Sequence, residues 1–411
     1  MRSLIHDTEE RLRPSWLLLG PAFVAAIAYV DPGNVAANVS AGAQFGFLLV
    51  WVIVAANAMA CLVQYLSAKL GLVSGLSLPE AIGQRMRRRS RLAFWLQAEL
   101  VAMATDLAEV VGGAIALYLL FDLPLVTGGV ITGAVSLLLL IVKDRRGQQT
   151  FERVITGLLM VIAIGFLTSL FVSPPPADEV VGGLVPMFDG PESVLLAAAM
   201  LGATVMPHAV YLHSGLARDR HGHPEAGPKR RMLLRVTRWD VGIAMVVAGA
   251  INLAMLLVAA TNLQGQQNTD SIEGAHAAVE STLGPTVALL FAIGLLASGL
   301  ASSSVGAYAG AMIMAGLLRR SIPLVLRRLI TLLPALAILA MGVDPSRALV
   351  LSQVVLSFGI PFALIPLIRL TGDRALMGDD TNHRLTTALG WVVAGLITLL
   401  NVVLIYLTVT G

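Results

Sequence analysis

Long apolar stretches alternate with short polar ones along almost the whole chain. A helix needs about 20 apolar residues to cross a bilayer. We therefore predict an all-α polytopic membrane protein with eleven transmembrane segments, numbered 1 to 11 in chain order. They cover residues 15–44, 47–70, 92–120, 124–142, 152–172, 193–217, 239–260, 284–318, 324–343, 347–369 and 385–409.

Segment 1 is interrupted in its middle by an Asp-Pro-Gly-Asn sequence at residues 31–34. The uncharged residues before it, 16–30, would rise only ~22 Å as a helix, whereas the hydrocarbon core is ~30 Å thick. The helix must therefore continue after the turn. In a soluble protein the same sequence would favour a surface β-turn. In a bilayer, however, a carboxylate and freed carbonyls are tolerated only where they line a cavity, so the turn predicts a site in a broken helix.

Segment 6 has a similar interruption, because Pro207 lies in its middle. Proline removes a backbone hydrogen bond and clashes with the preceding turn, which predicts a kink or an unwound section. If segments 1–5 and 6–10 form two units, each begins with a broken helix, and the odd number of spans inverts the second unit. Paired interruptions of this kind are typical of secondary transporters. We therefore divide the chain into a first repeat (15–173), a second repeat (174–370) and a loop with segment 11 (371–411).

Composition supports the membrane class. Of 411 residues, 56% are hydrophobic and 13% charged, with a mean hydropathy of +0.81; a soluble domain carries about 25% charged residues. The single cysteine, Cys61, excludes a disulfide framework. The net charge of +3 and the pI near 9.2 would fit a nucleic-acid partner, but the positions of the basic residues give a better explanation.

Basic residues concentrate on one predicted side of the membrane. All but two of the 28 lysines and arginines precede segment 1 or lie in every second connection and the segment ends beside it, the exceptions being Lys69 and Arg347. The positive-inside rule then predicts a cytoplasmic N-terminus, residues 1–14, and a C-terminus outside. We expect a multi-pass protein of the cell membrane that binds no nucleic acid.

Two features outside the main spans need interpretation. Arg11 and Arg13 before an apolar run resemble a signal peptide. Ten further spans secure insertion, however, so we expect this segment to be retained. The connections 174–192 and 261–283 are polar or acidic and rich in Pro, Gly and Gln, and we expect both to be solvent-exposed loops.

The two interruptions carry a family resemblance. Asp-Pro-Gly-Asn in segment 1 and Ala-Thr-Val-Met-Pro-His-Ala-Val-Tyr-Leu-His-Ser at 203–214 resemble the paired signatures of the Nramp family of proton-coupled divalent transition-metal transporters. Met-Ala-Thr-Asp-Leu-Ala-Glu at 103–109 and Ser-Gln-Val at 352–354 extend the resemblance over essentially the whole chain. It implies two inverted five-helix repeats of the LeuT type plus one extra helix.

The resemblance also implies a function. We expect a monomer that imports manganese or iron, and also cadmium and cobalt, by proton symport with alternating access. No permanently bound cofactor is expected; the metal ion and the proton are cargo.

The two breaks offer a mixed set of metal ligands. Asp31 has a hard anionic oxygen, Asn34 has an amide oxygen, and opening the helices frees carbonyls near Ala28 and Ala203. Met206 adds a thioether. Magnesium and calcium prefer oxygen ligands, whereas manganese and iron accept sulfur. Elsewhere such a methionine would be a packing residue, but Met206 matches the family's ligand position.

Gln353 in segment 10 is open to two interpretations, since it could complete the metal shell or bridge two helices.

Segment 3 contains three carboxylates, which are too costly to face lipid. Asp106 and Glu109 share a helix face, and Glu99 lies seven residues before Asp106. We expect these side chains to line a polar route. In the family such a route leads protons from the metal site toward the inside.

The remaining polar side chains each have two interpretations. His208 and His213 are about 140° apart on a helix, unlike the i, i+4 pair of a zinc hydrolase, so a joint zinc site is not expected. His208 alone could be a satisfied core histidine, whereas the resemblance gives it a part in proton handling. Arg327 and Arg328 could snorkel to the headgroups. The family pattern instead pairs such arginines with the carboxylates of segment 3.

Three other functions compete with metal symport. A sodium-coupled symporter of a small organic solute would have the same architecture. An intramembrane hydrolase using Asp31 or His208 is disfavoured because the sequence lacks His-Glu-x-x-His, Gly-x-Ser-x-Gly and paired-Asp signatures. A passive channel would not need two interruptions in inverted halves.

Overall fold

The computed structural model describes residues 20–266, 269, 271–319 and 324–410. The predicted cytoplasmic N-terminus, residues 1–14, and the first residues of segment 1 lie outside the described residues.

Each of the eleven predicted segments coincides with a helix or with two helices separated by a break. The first half contains α1 (Pro21–Ile27) with a 3-10 turn (Ala28–Val30), α2 (Pro32–Phe45), α3 (Val50–Ser74), α4 (Leu78–Arg85), α5 (Arg88–Phe121), α6 (Leu125–Arg146) and α7 (Gln148–Val172). The second half contains α8 (Ala177–Gly182), α9 (Gly190–Thr204), α10 (Pro207–His221), α11 (Pro228–Asn262), α12 (Ile272–Leu283), α13 (Pro285–Ile313), α14 (Leu324–Ala340) and α15 (Pro345–Thr371). A short helix α16 (Arg374–Met377) and α17 (Arg384–Thr410) follow.

The long helices have the length and apolar composition of membrane spans. In the described part of the chain, eight helices, counting α9 and α10 as one, are long and apolar enough to cross a bilayer. Two further apolar helices, Pro21–Val30 and Leu125–Leu139, are shorter. The prediction of an all-α polytopic membrane protein is confirmed.

The connections between these helices lie alternately on two faces. On one face, ion pairs join the connections after segments 2, 6 and 10: Arg85–Asp373, Arg218–Glu80 and Arg230–Asp380. On the other face, hydrogen bonds join the connections after segments 1, 5, 7 and 9: Trp51 N to Gly183 O, Ser173 Oγ to Asn262 Oδ1 and Ile272 N to Ser346 Oγ. The alternation requires each broken segment to count as one crossing. It does not decide which face is cytoplasmic, so the orientation stays a prediction.

Helix packing follows the predicted inverted repeat. If each segment is exchanged with its counterpart five places away, a contact in one half should have an equivalent in the other. Segments 1 and 7 are in contact through α2 and α11, and the equivalent segments 6 and 2 are in contact through α10 and α3. The same exchange converts the contact of α5 with α15 into that of α13 with α7. Helices α5 and α13, which belong to the counterpart segments 3 and 8, pack against each other. Segment 11, seen as α17, packs on α15 outside this scheme.

Helix α17 satisfies a backbone group that α15 cannot satisfy by itself. Pro361 has no N–H, so the carbonyl of Ser357, four residues earlier, loses its helical donor. Asn401 Nδ2 of α17 donates to Ser357 O at 2.9 Å, and Ser357 Oγ donates to Asn401 Oδ1 at 2.5 Å. The accessory helix thus stabilises the proline-containing part of segment 10.

One loop prediction was wrong. The connection 261–283 contains helix α12, which buries Ile272, Ala275, Ala278 and Val279 on a single face. That spacing of apolar residues is typical of a helix. The sequence signal was weak because it covers only two turns and lies beside a Gln- and Gly-rich stretch. The connection 174–192 also contains a helix, α8, although it buries no residue.

Candidate functional site

The first break is organised by the side chain of Asp31, which is completely buried. Asp31 has extended backbone angles and is the N-cap of α2, whose first residue is Pro32. Its Oδ1 accepts hydrogen bonds from Asn34 N and Asn34 Nδ2, both at 2.7 Å. Its Oδ2 faces Gln353 Nε2 at 3.4 Å. The carboxylate therefore caps one helix and contacts another.

The carbonyls that the first break exposes have partners on other helices. Ser298 Oγ of α13 donates to Val30 O at 2.5 Å, and Asn252 Nδ2 of α11 donates to Tyr29 O at 2.7 Å. Ala28, the predicted carbonyl ligand, begins the 3-10 turn just before the break and is buried. Sequence reasoning missed Ser298 and Asn252. A lone Asn in the apolar segment 7 was the available signal.

The second break separates α9 from α10 over two residues. Val205 has φ −100° and ψ 57°, and Met206 is extended and serves as the N-cap of α10. Met206 is completely buried, and no side chain among the described residues caps this helix. Across the gap, Asn34 Nδ2 donates to Ala203 O at 3.0 Å. This hydrogen bond joins the two breaks directly.

Gln353 lies between the two breaks because glycine on each side lets α15 approach. A Cβ at Gly33 would lie 1.7 Å from Gln353 Nε2, and a Cβ at Gly202 would lie 1.9 Å from Gln353 O. At Gly202 a larger side chain would meet backbone, and at Gly33 it would fit only if the side chain of Gln353 moved. The predicted metal-site residues Asp31, Asn34 and Gln353 and the carbonyl of Ala203 are thus within one or two hydrogen bonds of one another.

Arg327 and Arg328 each pair with a carboxylate of segment 3, one pair being partly buried and the other completely buried. Arg327 contacts Glu99 at 3.1 Å and donates to Ala307 O at 3.2 Å. Arg328 contacts Asp106 at 2.7 Å and also donates to Ser303. Both arginines are almost completely buried, so the alternative in which they snorkel to the headgroups is wrong.

Glu109 and His208 are two further buried polar side chains, on segment 3 and just after the second break. No hydrogen-bond donor among the described residues reaches either oxygen of Glu109, which packs against Gly306. His208 Nδ1 is 3.2 Å from Thr105 Oγ1, whereas His208 Nε2 has no partner in the described part. His208 is therefore only partly satisfied.

Several residues at the breaks and on segment 3 have buried polar atoms without a hydrogen-bond partner in the described part of the chain. In the described residues they include atoms of Asn34, Gln353, His208, Asp106, Glu109 and Glu99. Buried polar groups normally have hydrogen-bond partners, and the exceptions call for a bound ion or water. The arrangement can accept a cation at the breaks and protons along segment 3.

A conventional histidine–carboxylate metal cluster is absent from the described part of the chain, where no three His, Cys, Asp or Glu side chains converge. His213 does not join His208, because its Nδ1 lies 2.7 Å from Gln64 Oε1, and Gln64 in turn contacts Tyr29. The candidate site instead combines one carboxylate with amide and carbonyl groups, and Met206 lies in the second break beside them in the chain. That donor set suits a transition-metal ion in transit better than a tightly held structural one.

Two facing broken helices in inverted halves define a polytopic helical membrane protein of the secondary-transporter class. The chain belongs to the Nramp family, since the family model described as natural resistance-associated macrophage protein-like matches residues 22–407.

Relatives and solved structures agree with this assignment. The divalent metal cation transporter MntH of Mycobacterium tuberculosis (strain ATCC 25618 / H37Rv) is 74% identical over 408 residues, which are 99% of this chain and 95% of the relative. The crystal structure of the Eremococcus coleocola manganese transporter in complex with an aromatic bis-isothiourea substituted compound has a TM-score of 0.84 at 33% identity, covering 93% of this chain and 85% of that one. MhsT in complex with L-phenylalanine, at 13% identity and a TM-score of 0.60 over 94% of this chain and 98% of that one, shares the LeuT-like fold alone.

Proposed function

We propose that this protein imports divalent transition-metal ions, manganese or iron, by proton symport with alternating access. The hydrogen bond from Asn34 to Ala203 O carries the proposal, because it brings the charged first break and the open second break into one site. Relatives named as divalent metal and manganese transporters support the choice of cargo.

In this mechanism the metal ion binds between the two breaks. Asp31, Asn34 and Gln353 offer side-chain oxygens, and Ala28 and Ala203 offer carbonyls. Met206 adds the sulfur, which favours manganese, iron, cadmium and cobalt over magnesium and calcium. Rocking of one inverted half against the other then opens the site inward.

Proton coupling begins at the same carboxylate. A bound cation favours the ionised form of its ligand, so metal arrival releases any proton held by Asp31. His208 follows Met206 by two residues, and Glu109 shares segment 3 with Asp106 and Glu99, which pair with Arg328 and Arg327. We assign these side chains to the proton route.

The membrane potential gives the direction of transport. With the N-terminus inside and the C-terminus outside, the basic face lies in the cytoplasm. An inside-negative potential contributes ~4.6 kcal/mol per 100 mV for a divalent ion, so uptake is downhill. We expect a monomer without a permanently bound cofactor.

Uptake into proteoliposomes tests the proposal. Labelled manganese is offered in competition with iron, magnesium and calcium while internal pH is recorded. We expect saturable manganese uptake that iron inhibits, that magnesium and calcium do not, and that acidifies the interior. Uptake of an organic solute with sodium and without metal competition would favour the solute symporter instead. Linear, pH-independent flux would favour a channel.

A further inference from the structure

The connection between α15 and α17 folds back onto the ends of two other helices. Asn382 Oδ1 accepts a hydrogen bond from Lys69 Nζ of α3 at 2.9 Å, and Asn382 Nδ2 donates to Thr371 Oγ1 at 2.7 Å. Asp380 pairs with Arg230 of α11 at 2.7 Å. These contacts hold the connection in place on the face where the basic connections cluster.

An open cavity of about 370 Å³ lies between α3, α11 and this connection. The residues that line it and matter here are Tyr65, Lys69, Arg231, Arg235, Arg238 and Asp380. Cations therefore reach the cavity from two helices, whereas the facing carboxylate of Asp380 is already paired with Arg230. Asp379, on the same wall, is exposed.

Three of these cations share one face of α11. Arg231, Arg235 and Arg238 are spaced i, i+4 and i+7 and are exposed. Within the described residues none of the three forms an ion pair. Arg238 instead donates to Tyr65 OH at 3.3 Å, with its guanidinium 5.2 Å from the ring centroid. Like charges on adjacent turns of a helix repel, so an anion in the cavity would be stabilised by all three.

A lipid-facing surface begins beside this basic face. Met232, Trp239, Ile243 and Val246 are all exposed and lie on a single stripe of α11, next to the arginines. Trp239 is 67% exposed, in the position of an aromatic residue at a membrane interface. An anion bound by the arginines would therefore have apolar protein surface directly below it.

We propose that this cavity binds the headgroup of an anionic phospholipid, with the phosphate held by Arg231, Arg235, Arg238 and Lys69 and the acyl chains along the Met232–Val246 stripe. Basic pockets between transmembrane helices suit such headgroups. The combination of cavity, unpaired cations and adjoining apolar stripe distinguishes this place from the other basic connections. A free inorganic anion would use the cations but would gain nothing from the stripe.

Lipid binding to the purified full-length protein tests the proposal. The probes are dioleoyl phosphatidylglycerol, dioleoyl phosphatidylcholine and inorganic phosphate, each added in a neutral detergent. Native mass spectrometry measures the lipid-bound fraction, and thermal unfolding measures stabilisation. We expect phosphatidylglycerol to bind and stabilise, and the other two probes to have little effect.

Matched variants locate the binding. The triple substitution Arg231→Gln, Arg235→Gln and Arg238→Gln should weaken phosphatidylglycerol binding at least about tenfold. The control triple Arg87→Gln, Arg88→Gln and Arg89→Gln removes three exposed charges from another basic connection and should leave binding unchanged. Arg235→Gln alone, at an exposed residue, should give a smaller loss and covers the case in which the triple variant does not fold.

Three results would overturn the proposal. Equal loss of binding in the control triple would show non-specific attraction to the basic face. Equal stabilisation by phosphatidylcholine would show that charge does not matter. Full stabilisation by inorganic phosphate would show a site for a free anion.

Discussion

The two helix breaks differ in how their exposed backbone is held. At the first break Asp31 caps its own helix, and Asn252 and Ser298 hold the carbonyls of Tyr29 and Val30. At the second break no side chain caps α10, and the side-chain hydrogen bond to α9 comes from Asn34 of the first break. The first break therefore has fixed charge and geometry, whereas the second offers an open backbone and a soft sulfur.

The largest expected effect comes from removing the charge of the first break. Asp31→Asn should abolish manganese uptake, because the proposed ligand set then holds no negative charge to balance that of a divalent cation, while asparagine still serves as an N-cap. Proteoliposome uptake with a thermal unfolding control checks this. Asp31→Ala should lose uptake and also stability, by about 1 kcal/mol for the lost cap. Near-normal transport by Asp31→Asn would remove Asp31 from the site.

Alanine in place of the glycine near each break should distinguish contact with the backbone of Gln353 from contact with its side chain. Gly202→Ala places a Cβ against the carbonyl oxygen of Gln353 and should destabilise the protein by ~1–3 kcal/mol or more. Gly33→Ala meets the side chain of the same residue, from Cγ to Nε2, and a side chain can shift more readily than backbone, so it should cost less stability but weaken metal binding. Thermal unfolding and manganese KM measure the two effects. The opposite order of stabilities would contradict the placement of Gln353.

Removing the sulfur tests the role given to the second break. Met206→Ala should keep manganese uptake while the discrimination against calcium and magnesium falls by roughly tenfold or more, about 1.4 kcal/mol. Competition assays measure the ratio. Met312→Ala, a methionine away from the breaks, serves as the control. Unchanged selectivity in Met206→Ala would exclude the thioether as a ligand.

The smallest expected effect on transport concerns the carbonyls of the first break, whose loss of a donor acts on stability. Ser298→Ala should cost ~1–3 kcal/mol, because Val30 O is left buried without its donor. Ser302→Ala on the same helix should cost less, because the Ser302 hydroxyl donates, within the described part, only to the carbonyl of Gly299 one turn earlier. Unfolding midpoints of the two variants compare them. Equal midpoints would mean that the first break does not depend on α13.

The local sequence was sufficient to predict the helix breaks and the membrane spans, because residues close together in the chain determine both. Pro32 and Pro207 lack an N–H, and both begin a helix immediately after a break. The apolar segments and the basic residues on one side predicted the spans, because a helix needs about 20 apolar residues to cross a bilayer. Helix α12 was missed because its two turns of apolar spacing are short compared with the polar stretch beside them.

Only the tertiary structure decided which distant residues meet. Arg327 and Arg328 could snorkel or pair when judged by sequence, and burial against Glu99 and Asp106 settled the question. In the same way, the hydrogen bond from Asn34 to Ala203 O links residues 169 positions apart. The sequence by itself determined where the helices break, since backbone hydrogen bonding is local. The partners of those breaks depend on packing between helices far apart in the chain, which no local pattern encodes.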